Sequence, residues 1–152
     1  MHKFRIVVAA ALFFMVANAA RAQDKGYWRA ASSAANSITG DISISPTRVT
    51  INFTSFPIAE IRKLSTPEVS AVFSADSNGG GSGDLYRLNV PAERRFLHHN
   101  TLCGSDDAEW MATYVSGRNL DVAFFSGSTP PQMSFDAMNN STSLCGVFIY
   151  SR

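Results

Sequence analysis

The sequence has no apolar run long enough to cross a bilayer, no basic stripe, no long amphipathic helix and few histidines. Each absence excludes something. The longest apolar run, Ile6 to Ala17, falls well short of the roughly 20 residues that a membrane helix needs. Basic residues are scattered apart from the pairs Arg62-Lys63 and Arg94-Arg95, whereas a protein that neutralises nucleic-acid phosphates gathers them on one face. Nucleic acid is therefore not an expected partner. Without a long amphipathic helix there is nothing to cross over a parallel sheet. No G-x-S-x-G elbow is present, and the glycine run of "SNGGGSGD" (77–84) is followed by Asp84 rather than by the Lys-Ser/Thr of a phosphate-cradling loop.

What is there begins with an export signal. Met1-His2-Lys3-Phe4-Arg5 is basic, Ile6 to Ala17 is apolar, and Ala20-Arg21-Ala22 fits the small-x-small rule for cleavage before Gln23. Ala17-Asn18-Ala19 offers a second cut. The expectation is a signal peptide at 1–22, a single domain at 23–152, and a periplasmic or secreted product. Losing Lys3, Arg5 and Arg21 leaves ten basic residues against twelve acidic, a net charge of −2. The two cysteines, Cys103 and Cys145, both lie in the exported part, where an even count favours a disulfide. Such a bridge is worth about 4 kcal/mol in the chain-entropy account.

Past the signal the chain reads as strands and turns. "RVTINFT" (48–54) alternates Val49, Ile51 and Phe53 against Thr50, Asn52 and Thr54, the period of a half-buried strand. "ITGDISIS" (38–45), "VSAVFSA" (69–75), "DLYRLNV" (84–90) and "RRFLHH" (94–99) read as further strands. "EWMATYVS" (109–116) and "LDVAFFS" (120–126) form a hairpin about Gly117-Arg118-Asn119, and "SLCGVFIYSR" closes the chain. Only "PPQMSFDAMNN" (130–140) suggests a short helical turn. The reading is all-β: about eight strands in an antiparallel up-and-down barrel or a related sandwich, with one disulfide. Phe53, Phe56, Phe73, Trp110, Phe124, Phe125, Phe148 and Tyr150 supply either a filled core or the lining of a pocket.

Chemistry-bearing residues concentrate in "HHNTLCGSDDAEW" (98–110). In an extended segment His98 and His99 point to opposite faces, so one metal cannot readily take both. A site would need one of them with Asp106, Asp107 or Glu109, and a disulfide would withdraw Cys103. The same three carboxylates could in principle serve glycoside cleavage, but a polar loop leading into a strand is the ordinary setting of solvated charge. No motif sets nucleophile, base and orienter together, so a non-catalytic protein without metal or cofactor is expected. Asn52-Phe53-Thr54, Asn139-Asn140-Ser141 and Asn140-Ser141-Thr142 fit the N-glycosylation pattern.

"SITGDISIS", "DLYRL", "NTLCG" and "LCGVFIYSR" together resemble small exported bacterial proteins of unassigned function. Ser82-Gly83-Asp84-Leu85-Tyr86 is similar to the Ser-Gly-x-x-Tyr segment of periplasmic c-type lysozyme inhibitors, small disulfide-containing β-barrels whose loop enters the lysozyme cleft. The tryptophan and Lys-Gly pair that follow in those inhibitors are not in place here. That resemblance implies a protein partner contacted through a 77–87 loop, with Ser82, Gly83 and Tyr86 at the contact. Arg87 would stand in for the missing basic group. The alternative expectation is a lipocalin-like barrel with a small apolar ligand in its mouth.

Overall fold

The computed structural model describes residues 23–76 and 80–152. The expected signal segment 1–22 lies outside them, as do residues 77–79. Eight strands close an antiparallel barrel in simple sequence order: β1 (Gly26–Ala30), β2 (Ile42–Ile44), β3 (Arg48–Ile51), β4 (Thr54–Lys63), β5 (Ser82–Val90), β6 (Ala108–Ser116), β7 (Asn119–Phe125) and β8 (Leu144–Ser151). The seam pairs β1 with β8 through Arg29 with Ser151 and Ala30 with Tyr150. Two helices, α1 (Thr66–Phe73) and α2 (Phe135–Asn139), interrupt the strands. No helix among the described residues is long and apolar enough to cross a membrane.

Two layers of apolar side chains follow from the alternation. Inward-facing positions carry Trp28, Val49, Ile51, Tyr86, Leu88, Met111, Val122, Phe124, Phe148 and Tyr150 in one buried cluster. Phe124 and Phe148 meet edge to face at 5.6 Å. A second cluster lies outside the barrel wall: Leu85, Trp110, Ala112, Ala123 and Phe125 are covered by Val72 of α1 and by Met133. The helices therefore cover the outer face of β5–β7, with Glu68 of α1 reaching Arg62 on β4, and leave that of β1–β3 bare. The Cys103–Cys145 disulfide, Cα atoms 4.8 Å apart, ties the β5–β6 connection to the start of β8.

The strand count was legible, but two of its members were not. "VSAVFSA" lies in α1 rather than a strand, because Ser65-Thr66-Pro67-Glu68 is a helix start: Ser65 accepts from the Glu68 amide and Glu68 reaches back to the Ser65 amide. Val69, Val72 and Phe73 then fall at helical spacing on the packed face. "RRFLHH" is loop plus a 3₁₀ turn at Leu97–His99. In their place stand β1, whose Trp28 points inward between exposed Tyr27 and Arg29, and β4, obscured in the sequence by Pro57 and its charges. "ITGDISIS" contributes only Ile42–Ile44, since residues 35–39 wind a π-helical turn. The β6–β7 turn has two residues, with Gly117 at φ 59 as its first, because Ser116 pairs with Asn119.

The same cap carries an acid-sensitive contact. Arg62 donates to both Glu68 oxygens at 2.7 Å and, with the Ser65 amide adding to it, holds the Glu68 carboxyl down to about 2. A depressed carboxyl stabilises the fold above its ordinary range, and that contribution is lost as pH falls from the mid-fours towards 2. Thermal melts between about pH 5 and pH 2 are expected to show a steeper loss in wild type than in Glu68→Gln. Equal slopes would remove this pair as a source of acid sensitivity.

Candidate functional site

The 77–87 stretch is not one loop. Residues 82–87 belong to β5, and most of the proposed contacts are spent inside the fold. Ser82 is half-buried at the strand's start. Gly83 is buried, and a Cβ there would meet Thr113 O and Val69 Cγ2 at 3.0 Å, so this glycine lets α1 pack on the barrel wall. Arg87 lies over the Trp110 ring at 4.8 Å and pairs with Glu109 at 2.9 Å. Tyr86 is 1% exposed and points into the barrel.

Tyr86 belongs to a polar cluster that closes one end of the barrel. Its hydroxyl donates to Asp24 Oδ2 at 2.6 Å, and Thr113 Oγ1 donates to the same oxygen at 2.9 Å. Lys25 Nζ donates to the Tyr86 hydroxyl at 2.6 Å and stands 3.2 Å from Asp24 Oδ1, which otherwise has no hydrogen bond. Burial first, then the Asp24 hydrogen bond, pushes the Tyr86 phenol far up, so it remains a donor. Nearby Asp84 takes a 2.7 Å bond from Lys63. Hydrogen bonding to Asp84 raises the Glu60 carboxyl, with desolvation behind it. Arg152 caps the segment from outside: it donates to Gln23 O and Lys25 O and lies 4.1 Å over the Trp28 ring. Apart from Asp24 Oδ1, which meets only the Lys25 charge, these groups satisfy one another, and the cluster reads as a plug.

The histidines and carboxylates of 98–110 do not converge. His98 and His99 are both exposed, each with left-handed backbone (φ 55 and 61), rather than on opposite faces of an extended segment. Asp107 accepts from the Ala92 amide at 2.7 Å and Glu109 is held by Arg87. Among the described residues no three of His, Cys, Asp and Glu are grouped to hold a metal.

A different place draws attention. β3 and β4 are joined by a two-residue turn, Asn52-Phe53, because Ile51 pairs with Thr54. Both residues have left-handed φ, 47 and 66, the pattern of a type I′ turn in which Asn-Gly is preferred. Phenylalanine stands where glycine fits best, and it is 100% exposed. The sequence reading had placed Phe53 on the strand face with Val49 and Ile51; the turn removes it from the core altogether. A groove of about 320 Å³ lies beside it, lined by Tyr27, Asp41, Ser43, Thr50, Asn52 and Phe53 and walled by Gly40 and Leu97.

The barrel's register builds that groove. Tyr27 pairs with Ser43, Ser43 with Thr50 and Thr50 with Ser55, giving one outward row of phenol and aliphatic hydroxyls across four strands. Tyr27 is 58% exposed, yet its hydroxyl donates to Asp41 Oδ2, and Asp41 Oδ1 accepts from the Ala30 amide at 2.8 Å. The ring is thus a fixed plate. That Asp41 hydrogen bond also raises the Tyr27 phenol and lowers the Asp41 carboxyl. No family model, no curated protein and no solved structure matches this chain. Its function has to be read from this geometry alone.

Two stability measurements separate plug from surface. Tyr86→Phe removes a buried donor to a carboxylate and is expected to cost about 2 kcal/mol in urea unfolding. A change under about 0.5 kcal/mol would remove the plug as a stabilising element. Phe53→Gly relieves a left-handed aromatic residue and is expected to gain about 0.5–1 kcal/mol. A loss would mean that the ring packs on something.

Proposed function

We propose that the chain is an exported, non-catalytic binding protein whose contact surface is the bare outer face of β1–β3 with the Phe53 tip. One observation carries this reading. A fully exposed aromatic residue occupies a backbone position that disfavours it, beside a ligand-sized groove. Neither core packing nor turn geometry accounts for a phenylalanine there, whereas contact with a partner does. Export is supported by the basic, apolar and small-residue order of residues 1–22 and by the Cys103–Cys145 disulfide.

The alternative, a small apolar ligand inside the barrel, finds less support. Trp28, Phe124, Tyr150, Phe148 and Met111 occupy the interior at 0–1% exposure. Lysozyme inhibition through Ser82-Gly83-Asp84-Leu85-Tyr86 would rest on Ser82 and the residues before it, since Tyr86 faces inward.

The test is retention of purified, oxidised Gln23–Arg152 on immobilised panels of glycans, peptides and lipids, with Phe53→Ala alongside. Retention on one class, lost in the variant while its melting temperature holds, is the expected result. Equal retention of both proteins, or none of either, would overturn the assignment of this face. In a cell-wall clearing assay c-type lysozyme is expected to keep its activity. Inhibition lost in Ser82→Ala but kept in Phe53→Ala would move the contact surface to the start of β5.

A further inference from the structure

The groove beside Phe53 does not end at Tyr27. Tyr27 also borders a second depression of about 730 Å³, formed with Arg29, Arg118, Asn119, Ser151 and Arg152 across the β1–β8 seam. Tyr27 and Arg29 are alternate residues on the outer face of β1, so the two depressions are consecutive along one bare surface. One stretch offers two aromatic plates and a row of hydroxyls. The next offers guanidinium groups. Arg29 is exposed and makes no hydrogen bond or ion pair among the described residues, although Asp41 is close enough to feel its charge. Arg118 and Arg152 are partly committed, Arg118 to the Arg152 carboxyl end and Arg152 to the Gln23 and Lys25 carbonyls.

We infer that this surface binds a carboxylated glycan, one sugar face against Phe53 and Tyr27 and a uronate-type carboxylate against Arg29. The inference rests on the binding-surface reading above and names its ligand class. A sugar ring presents an axial C–H face that lies flat on an aromatic ring, and an equatorial rim of hydroxyls that exchange hydrogen bonds with short polar side chains. Both partners are here. Neither the Ser43 hydroxyl nor the Asn52 amide makes a hydrogen bond among the described residues, while Asp41 fixes Tyr27 so that little rotamer freedom is lost on binding. An apolar ligand would leave those polar groups unpaired. A neutral glycan would use the plates but give Arg29 no partner. A peptide partner is an outcome of the panel test.

The experiment is calorimetric titration of oxidised Gln23–Arg152 with a galacturonic acid hexamer and with a neutral chitin hexamer. The uronate hexamer is expected to bind, and the neutral one to bind at least about fivefold more weakly. Phe53→Ala and Tyr27→Ala should each weaken the uronate complex about tenfold. Arg29→Ala should bring the two hexamers level, with added salt having the same effect. The Arg29 side chain makes no hydrogen bond or ion pair among the described residues, and its pairing with Ser151 is through the backbone, so that variant is expected to melt close to wild type. Equal affinity of wild type for both hexamers overturns the carboxylate assignment. Binding of neither, with Phe53-dependent retention of another class on the panels, overturns the glycan assignment and leaves the surface. Binding of neither, with no Phe53-dependent retention, overturns both.

Discussion

Closure of the sheet is the constraint on which the rest depends. An eight-stranded barrel leaves an interior just wide enough for its own side chains. Every inward position must therefore hold something that fits. Here large rings, Trp28, Tyr86, Phe124, Phe148 and Tyr150, meet across the axis, and the interior is spent on stability. At one end the rings give way to polar atoms, and the barrel is stopped with a carboxylate. Asp24 is tolerated at 1% exposure because Tyr86, Thr113 and Lys25 surround it. What remains open to a partner is the outside of the wall, and there only the part that α1 and α2 leave uncovered.

On that open part, local cost and exposure coincide. Left-handed backbone at non-glycine residues is uncommon, and four of the five examples among the described residues, Asn52, Phe53, His98 and His99, lie in connections at the end of the barrel opposite the plug. Leu97, next to the histidines, walls the groove beneath Phe53. The 3₁₀ turn that carries the two histidines is tied to the π turn at residues 35–39 by Asn100 donating to Ser37 O at 3.1 Å. A rim so constrained holds its side chains in place.

Much of the fold was legible because period-two alternation survives wherever one face of a strand is wet or clearly different from the other. Trp110, Ala112 and Tyr114 separate from Met111, Thr113 and Val115 as read, although both faces are buried, the first under helix and the second in the barrel. The disulfide followed from the expected compartment and the even cysteine count. What misled was β-branched content: "VSAVFSA" carries strand propensity, yet the capping box of Ser65 and Glu68 and the Pro67 within it, just before, decide for helix. β4 was hidden by Pro57 and by its outward charges. The groove was invisible because its residues come from β1, β2, β3 and their turns, brought together only by register. One local signal existed. Asn52 followed by a bulky residue within an alternating run is the first half of a type I′ turn, and a turn there would have put Phe53 at a tip.

The seam between β1 and β8 has a consequence for how the chain comes to be folded. It joins residues at opposite ends of the sequence, Arg29 with Ser151, and Arg152 reaches on to the carbonyl of Gln23. A polypeptide delivered N-terminus first can assemble the β2–β3–β4 meander and the β5–β6–β7 sheet as each hairpin arrives. It cannot close the cylinder until residue 151 is free. Until then β1 has one unpaired edge and the carboxylate of Asp24 has no capped cavity to enter. Barrel closure is therefore a late, high-contact-order event, and the open sheet that precedes it is the species most exposed to pairing with another copy.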